Sequence, residues 1–98
     1  MKDLVGTTSP ANYFRGPEAV GGKIFFAQEA LTFHSHALNI QTGDTTIRYS
    51  DIALVKPRNT LGIVPNGISV FTRDGFEHKF VVYHRSTIIA FLMSKMIR

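Results

Sequence analysis

The feature that most limits what this chain can fold into is a change of hydrophobic period close to its end. Up to residue 83 apolar side chains recur at every second position in short runs, the pattern of half-buried strands. After Ser86 the period lengthens. Ile89, Leu92, Met93 and Met96 fall at i, i+3, i+4 and i+7, and Ile88 and Phe91 widen that face. Ser86 is the expected N-cap, with Thr87 opening the helix. A helix this short is marginal alone in water, so it must dock on the strands. About seven strands at a spacing near ten residues, followed by one helix, predict a sandwich or small barrel with a helical lid.

The centre of the pattern is residues 22–36. Ile24 and Phe26 share one strand face, as do Leu31 and Phe33 beyond a break at residues 27–30. Gly21 and Gly22 precede this hairpin as a bend or bulge, and His34 and His36 close it. Residues 1–10 read as a flexible lead-in, so the domain is expected over residues 11–98. Asn12 to Arg15 form a first strand stopped by Gly16 and Pro17. Ala37 to Ile40 are extended, and residues 41–44 turn. Thr45 to Tyr49 return as a strand with Ile47 and Tyr49 on one face.

Ser50 and Asp51 break the pattern, and Ile52 to Lys56 form a strand ended by Pro57. Residues 58–67 are the longest irregular stretch, in which Leu61, Ile63 and Val64 are expected to fold onto the core and Asn66-Gly67 to turn. Ile68 to Arg73 follow as a strand. Asp74-Gly75 predicts a tight hairpin of type I′, with His78, Phe80 and Val82 on one face of the returning strand.

With 98 residues there is room for one domain. Cysteine is absent, which removes disulfides, thiolate metal sites and cysteine nucleophiles. Residues 1–10 contain no apolar core of signal-peptide length, and no apolar run is long enough to span a bilayer. The expectation is a cytoplasmic protein that can lie peripherally at a membrane. Eleven Lys and Arg against seven Asp and Glu give +4, which permits contact with anionic lipid or nucleic acid without requiring either.

In order and spacing, several stretches resemble the GRAM domain, a branch of the pleckstrin-homology superfold. They are Tyr13-Phe-Arg-Gly-Pro-Glu-Ala-Val-Gly-Gly-Lys-Ile-Phe-Phe26, Leu31-Thr-Phe33, Tyr49-Ser-Asp-Ile52 with Val55, Asn66-Gly-Ile-Ser-Val70, Asp74-Gly75 and Phe80-Val-Val82. The resemblance spans roughly Asn12 to Met96. It implies a mostly β fold, a bent antiparallel barrel of about seven strands capped by one C-terminal α-helix. It also implies lipid or protein binding without catalysis, here in a stand-alone domain of bacterial type. Pleckstrin-homology phosphoinositide pockets need clustered cations around the first two strands. This chain offers Arg15 and Lys23 with Glu18 between them, so that pocket is not recognisable.

The remaining candidates are few. His34 and His36 point the same way from a strand and could share a metal with a third ligand such as His78 or Glu77, but nothing in the sequence brings these near, and the simpler reading is a pair of exposed or hydrogen-bonded histidines on the outer face. No nucleophile elbow, paired-carboxylate or phosphate-loop pattern surrounds the serines, His78, His84, Asp74 or the glycines. No enzyme, cofactor or metal is therefore expected, nor a polar pocket of convergent titratable groups. Single-strand nucleic-acid platforms need exposed aromatics beside cations. The aromatics here alternate into the presumed core, so nucleic acid is not an expected partner.

Two binding surfaces are expected. Phe91, Met93, Met96 and Ile97 form a helix face wide enough to meet a protein partner or a second copy. Lys23, Lys56, Arg58 and Arg98 are the cations for an anionic lipid surface. The first function read from the sequence is protein–protein interaction or self-association, and the alternative is weak peripheral binding to anionic membrane.

Overall fold

A computed structural model describes residues 2–36 and 44–96. Seven antiparallel strands form one curled half-barrel sheet, and a single helix follows. The strands are β1 (Thr8–Arg15), β2 (Glu18–Phe26), β3 (Ala30–Ser35), β4 (Asp44–Arg48), β5 (Ile52–Thr60), β6 (Val64–Thr72) and β7 (Glu77–Val82). The helix α1 spans Arg85–Met96. The spatial order is β4-β3-β2-β1-β7-β6-β5, so β1 and β7 join the two ends of the chain and β4 and β5 are the edges. A mostly β fold of seven strands with one C-terminal helix is what the alternation and the terminal change of period predict. No described helix is long and apolar enough to cross a membrane.

Alternation builds the core directly. Val20, Gly22, Ile24 and Phe26 face inward along β2. Leu31 and Phe33 oppose Phe26 and Ile24 across the β2–β3 ladder. Tyr13 packs between Phe33 and Phe80, with ring centroids 5.4 and 4.9 Å away. The helix docks over β5, β6 and a 3-10 turn at Tyr49–Asp51. Its Phe91 meets Phe26 and Tyr49 edge to face, at 5.5 and 5.8 Å.

Several local expectations are corrected. Part of the expected lead-in belongs to the domain: Leu4 is buried in the core, and Gly6 N–H and Phe26 N–H exchange bonds with Phe26 O and Thr7 O at 2.7 and 3.0 Å. β1 accordingly starts at Thr8. Gly21 and Gly22 do not bend the chain but lie inside β2. A Cβ on Gly22 would overlap the His34 carbonyl oxygen and stand 2.8 Å from the Phe33 ring, so close approach of β3 is what requires glycine.

Pro57 does not end β5. It pairs with Ile68 in an edge strand, where its missing N–H can face away from the ladder. The expected irregular stretch is a hairpin, with β5 and β6 joined by residues 61–63. Asn66 and Gly67 are strand residues, and Gly67 leaves room for the Arg58 side chain: a Cβ there would meet Arg58 Cγ at 2.8 Å.

The Asp74-Gly75 hairpin forms, but Gly75 alone of residues 73–76 has positive φ, +90°, and Gly75 N–H donates to Thr72 O. This is a type I turn with a left-handed glycine rather than a type I′ turn. The helix opens at Arg85 after His84, whose φ is +56°, not at Thr87. The strand expected at residues 37–40 and most of the turn at 41–44 lie outside the described residues.

Candidate functional site

Two places concentrate unusual chemistry: the first includes Lys56 and Arg58 of the expected lipid-binding set, and the second holds none of the expected site residues. The first is the tip of the β5–β6 hairpin. Gly62 N–H donates to Asn59 O and Ile63 N–H to Thr60 O, at 3.3 and 3.1 Å, closing a three-residue loop. The Thr60 hydroxyl braces its base by donating to Asn66 Oδ1 at 2.5 Å. Leu61 is 89% exposed, Ile63 77% and Val64 45%. These are the side chains expected to fold inward. The loop is too short to reach the core and aims Leu61 and Ile63 outward, and Val64 opens β6 half-exposed.

Leu61 is doubly disfavoured. Its φ is +56°, a left-handed conformation that costs a branched L-residue about 1–2 kcal/mol. Its side chain also faces water. Behind the tip the hairpin is cationic. Lys56 and Arg58 lie on β5, and no acidic residue occurs between Asp51 and Asp74. Arg58 lays its stem across Gly67 and carries its guanidinium over the Phe14 ring, 5.7 Å from the centroid. Arg85, at the start of α1, clamps the hairpin by donating from Nη1 to Arg58 O at 3.0 Å and to Asn59 Oδ1 at 3.3 Å.

The expected cation set is not one patch. Lys56 and Arg58 share β5, but Lys23 lies on β2, four strand steps away, about 19 Å along the sheet at the usual spacing. Arg98 lies outside the described residues, as does Ile97. The expected helix surface is also corrected. Phe91 is 1% exposed and cannot face a partner, because the inward stripe is Ile88, Phe91 and Leu92. Met93 is half exposed, and Met96 packs partly against the core. The stripe turned because the helix rests on Phe26 and Tyr49, which accept Phe91.

The second place is a cleft of about 420 Å3 between β4 and the β6–β7 hairpin. Thr46 and Ile47 of β4 line one side; Thr72, Arg73, Asp74 and His78 of the β6–β7 hairpin line the other, with Asp51 beside them. Arg73 fixes the hairpin to the 3-10 turn, its N–H donating to Asp51 O at 2.9 Å and its Nε to Ser50 O at 2.8 Å. Asp74 Oδ1 accepts from the Thr72 hydroxyl and from Phe76 N–H, bonds that hold its pKa below the usual carboxylate value.

His78 Nδ1 lies 2.7 Å from the Tyr13 hydroxyl. Burial pushes the Tyr13 phenol up, against a hydrogen bond with Thr45 and the charge of Arg15. Burial likewise lowers the pKa of His78, opposed by the Asp74 carboxylate. The phenol and Nδ1 share one hydrogen bond, whose direction follows the imidazole tautomer. The expectation of no pocket with convergent titratable groups is thus corrected. Tyr13 and His78 are 65 residues apart, and no local signal joins them.

His34 and His36 do not converge with a third ligand. His34 Nδ1 pairs with Asp44, His36 lies beside Gly21, and among the described residues no group of three or more His, Asp or Glu is arranged to hold a metal.

No family model matches the chain, and no curated protein does. Among solved structures it is similar to the C-terminal domain of an unknown protein from Leishmania infantum, with a TM-score of 0.80 over 96% of this chain and 84% of that one. At 19% identity this likeness concerns the fold alone.

Proposed function

We propose that the chain is a non-catalytic, GRAM-like binding module that docks peripherally on anionic membranes through the β5–β6 hairpin. The observation that carries this reading is Leu61, a large apolar side chain that is 89% exposed in a left-handed backbone conformation. Local strain combined with apolar exposure persists where the surroundings or the function require it. Burying Leu61 and Ile63 in the headgroup–acyl boundary is worth about 1.5–3 kcal/mol each. Each cation near the surface adds about 1 kcal/mol. Apolar insertion therefore leads, and charge assists.

The geometry agrees with that division. At about 3.3 Å per strand residue, Arg58 sits roughly 10 Å and Lys56 roughly 16 Å behind Leu61. A tip inserted by about 5–10 Å brings Arg58 to headgroup level and leaves Lys56 within about a Debye length of the surface.

Self-association is the second reading, supported by the free edges β4 and β5. The edges themselves discourage it. β4 has five residues, and β5 carries Lys56 and Pro57, features that blunt strand pairing.

The test is sedimentation with phosphatidylserine-containing vesicles. The unmodified protein should bind, and Leu61→Asp with Ile63→Asp should abolish binding while leaving the melting temperature unchanged, because Asp tolerates the left-handed conformation. Concentration-dependent size in light scattering, lost in the same double variant and without vesicle binding, would move the tip from lipid to a second copy.

A further inference from the structure

The cleft between β4 and the β6–β7 hairpin plays no part in membrane docking, and its charges are not matched among themselves. Arg73 spends Nε on Ser50 O and leaves its two Nη groups. No ion pair within 4.0 Å joins Arg73 to Asp51 or Asp74, although all three line the same space. Opposite charges that share a cleft without neutralising each other are positioned for a ligand that carries both signs.

We propose that this cleft binds a small zwitterion, a free amino acid or short peptide. Its carboxylate is held by Arg73, with His78 beside it, and its ammonium by Asp51. A simple anion is opposed by two carboxylates and a simple cation by the guanidinium, whereas a zwitterion satisfies both sides. Arg73 is held through Nε on Ser50 O, and Tyr13, buried in the core, holds the His78 ring from behind through Nδ1. The walls are a strand, a 3-10 turn and a hydrogen-bonded hairpin, which hold the groups rigidly. A volume near 420 Å3 lies within the range of small-molecule sites and above the size of one amino acid.

The test is an NMR titration of the unmodified protein with L-alanyl-L-alanine, followed at the amides of Thr46 and Arg73 and at the His78 ring. N-acetyl-L-alanine, which lacks the ammonium, and L-alaninamide, which lacks the carboxylate, are the comparisons. Saturable shifts with a Kd of about 1 mM or tighter are expected. Each single-charge analogue should bind about tenfold more weakly, as should the dipeptide to Arg73→Gln and to Asp51→Asn. Shifts that stay linear to about 10 mM, or equal binding of all three compounds to the unmodified protein, overturn the assignment. The hairpin variant Leu61→Asp with Ile63→Asp should bind the dipeptide normally, so failure of the cleft and failure of membrane docking are read separately.

Discussion

Replacing Gly22 by alanine isolates the reason for the paired glycines. The added methyl would overlap the His34 carbonyl oxygen and approach Ser35 Cα to 2.9 Å and the Phe33 ring to 2.8 Å. Two of these neighbours are backbone atoms of the paired strand, and Phe33 is fully buried, so none can rotate away. Overpacking of this kind costs about 1–3 kcal/mol, and the rigid neighbours place Gly22 at the upper end. The gain of alanine over glycine inside a strand, about 0.5–1 kcal/mol, offsets part of it. A net loss of about 2 kcal/mol lowers the melting temperature of a domain this size by about 8–16 °C.

Gly21→Ala is the control. Its nearest neighbours are the ends of the Asn12 and His36 side chains, 3.3 and 3.5 Å away, which can move. Its effect should stay within about 0.5 kcal/mol. Thermal and urea unfolding, followed by circular dichroism, measure both. If the two variants agree within about 0.5 kcal/mol, the close approach of β2 and β3 is not what demands glycine.

Three further outcomes follow from the packing and the titrating groups. Phe91→Ala should lose about 3–5 kcal/mol, whereas Met93→Ala should change stability by less than about 0.5 kcal/mol, and the reverse order in urea melts would show that the helix presents its other stripe to the sheet. Arg85→Ala removes bonds to Arg58 O and Asn59 Oδ1 and should lower stability by about 1–2 kcal/mol, with faster amide exchange confined first to residues 58–67. His78 has its pKa lowered on folding, so between that value and about 6.5 the unfolded chain binds more protons and stability rises with pH. His78→Gln keeps an acceptor for Tyr13 and should remove that rise from unfolding curves recorded at pH 5 to 7.5; an unchanged slope would assign it to another group.

The local pattern determined most of the architecture. Alternation at Ile24, Phe26, Leu31 and Phe33 placed four core side chains, because in a strand the next-but-one residue must share a face. The change of period after Ser86 placed a helix for the same kind of reason. Tertiary structure decided which helical stripe turned inward, since Ile88–Phe91–Leu92 and Ile89–Leu92–Met93–Met96 are both apolar and only the rings of Phe26 and Tyr49 distinguish them.

It also decided Pro57, which breaks a central strand but is tolerated at an edge, and whether a strand is an edge depends on the order of all seven. The two candidate sites were illegible for a related reason. Leu61, Ile63 and Val64 have core composition, and only the tight loop at residues 61–63, with Val64 opening β6 beside it, puts them in water. Asp51, Arg73 and His78 belong to separate elements; the docking of the Arg73 turn brings them to one cleft, and the β1–β7 ladder sets Tyr13 behind His78. Side-chain periodicity is a short-range property that the sequence carries in plain form. The choice of partner for each face is a long-range one, settled by which pairings bury the whole core at once.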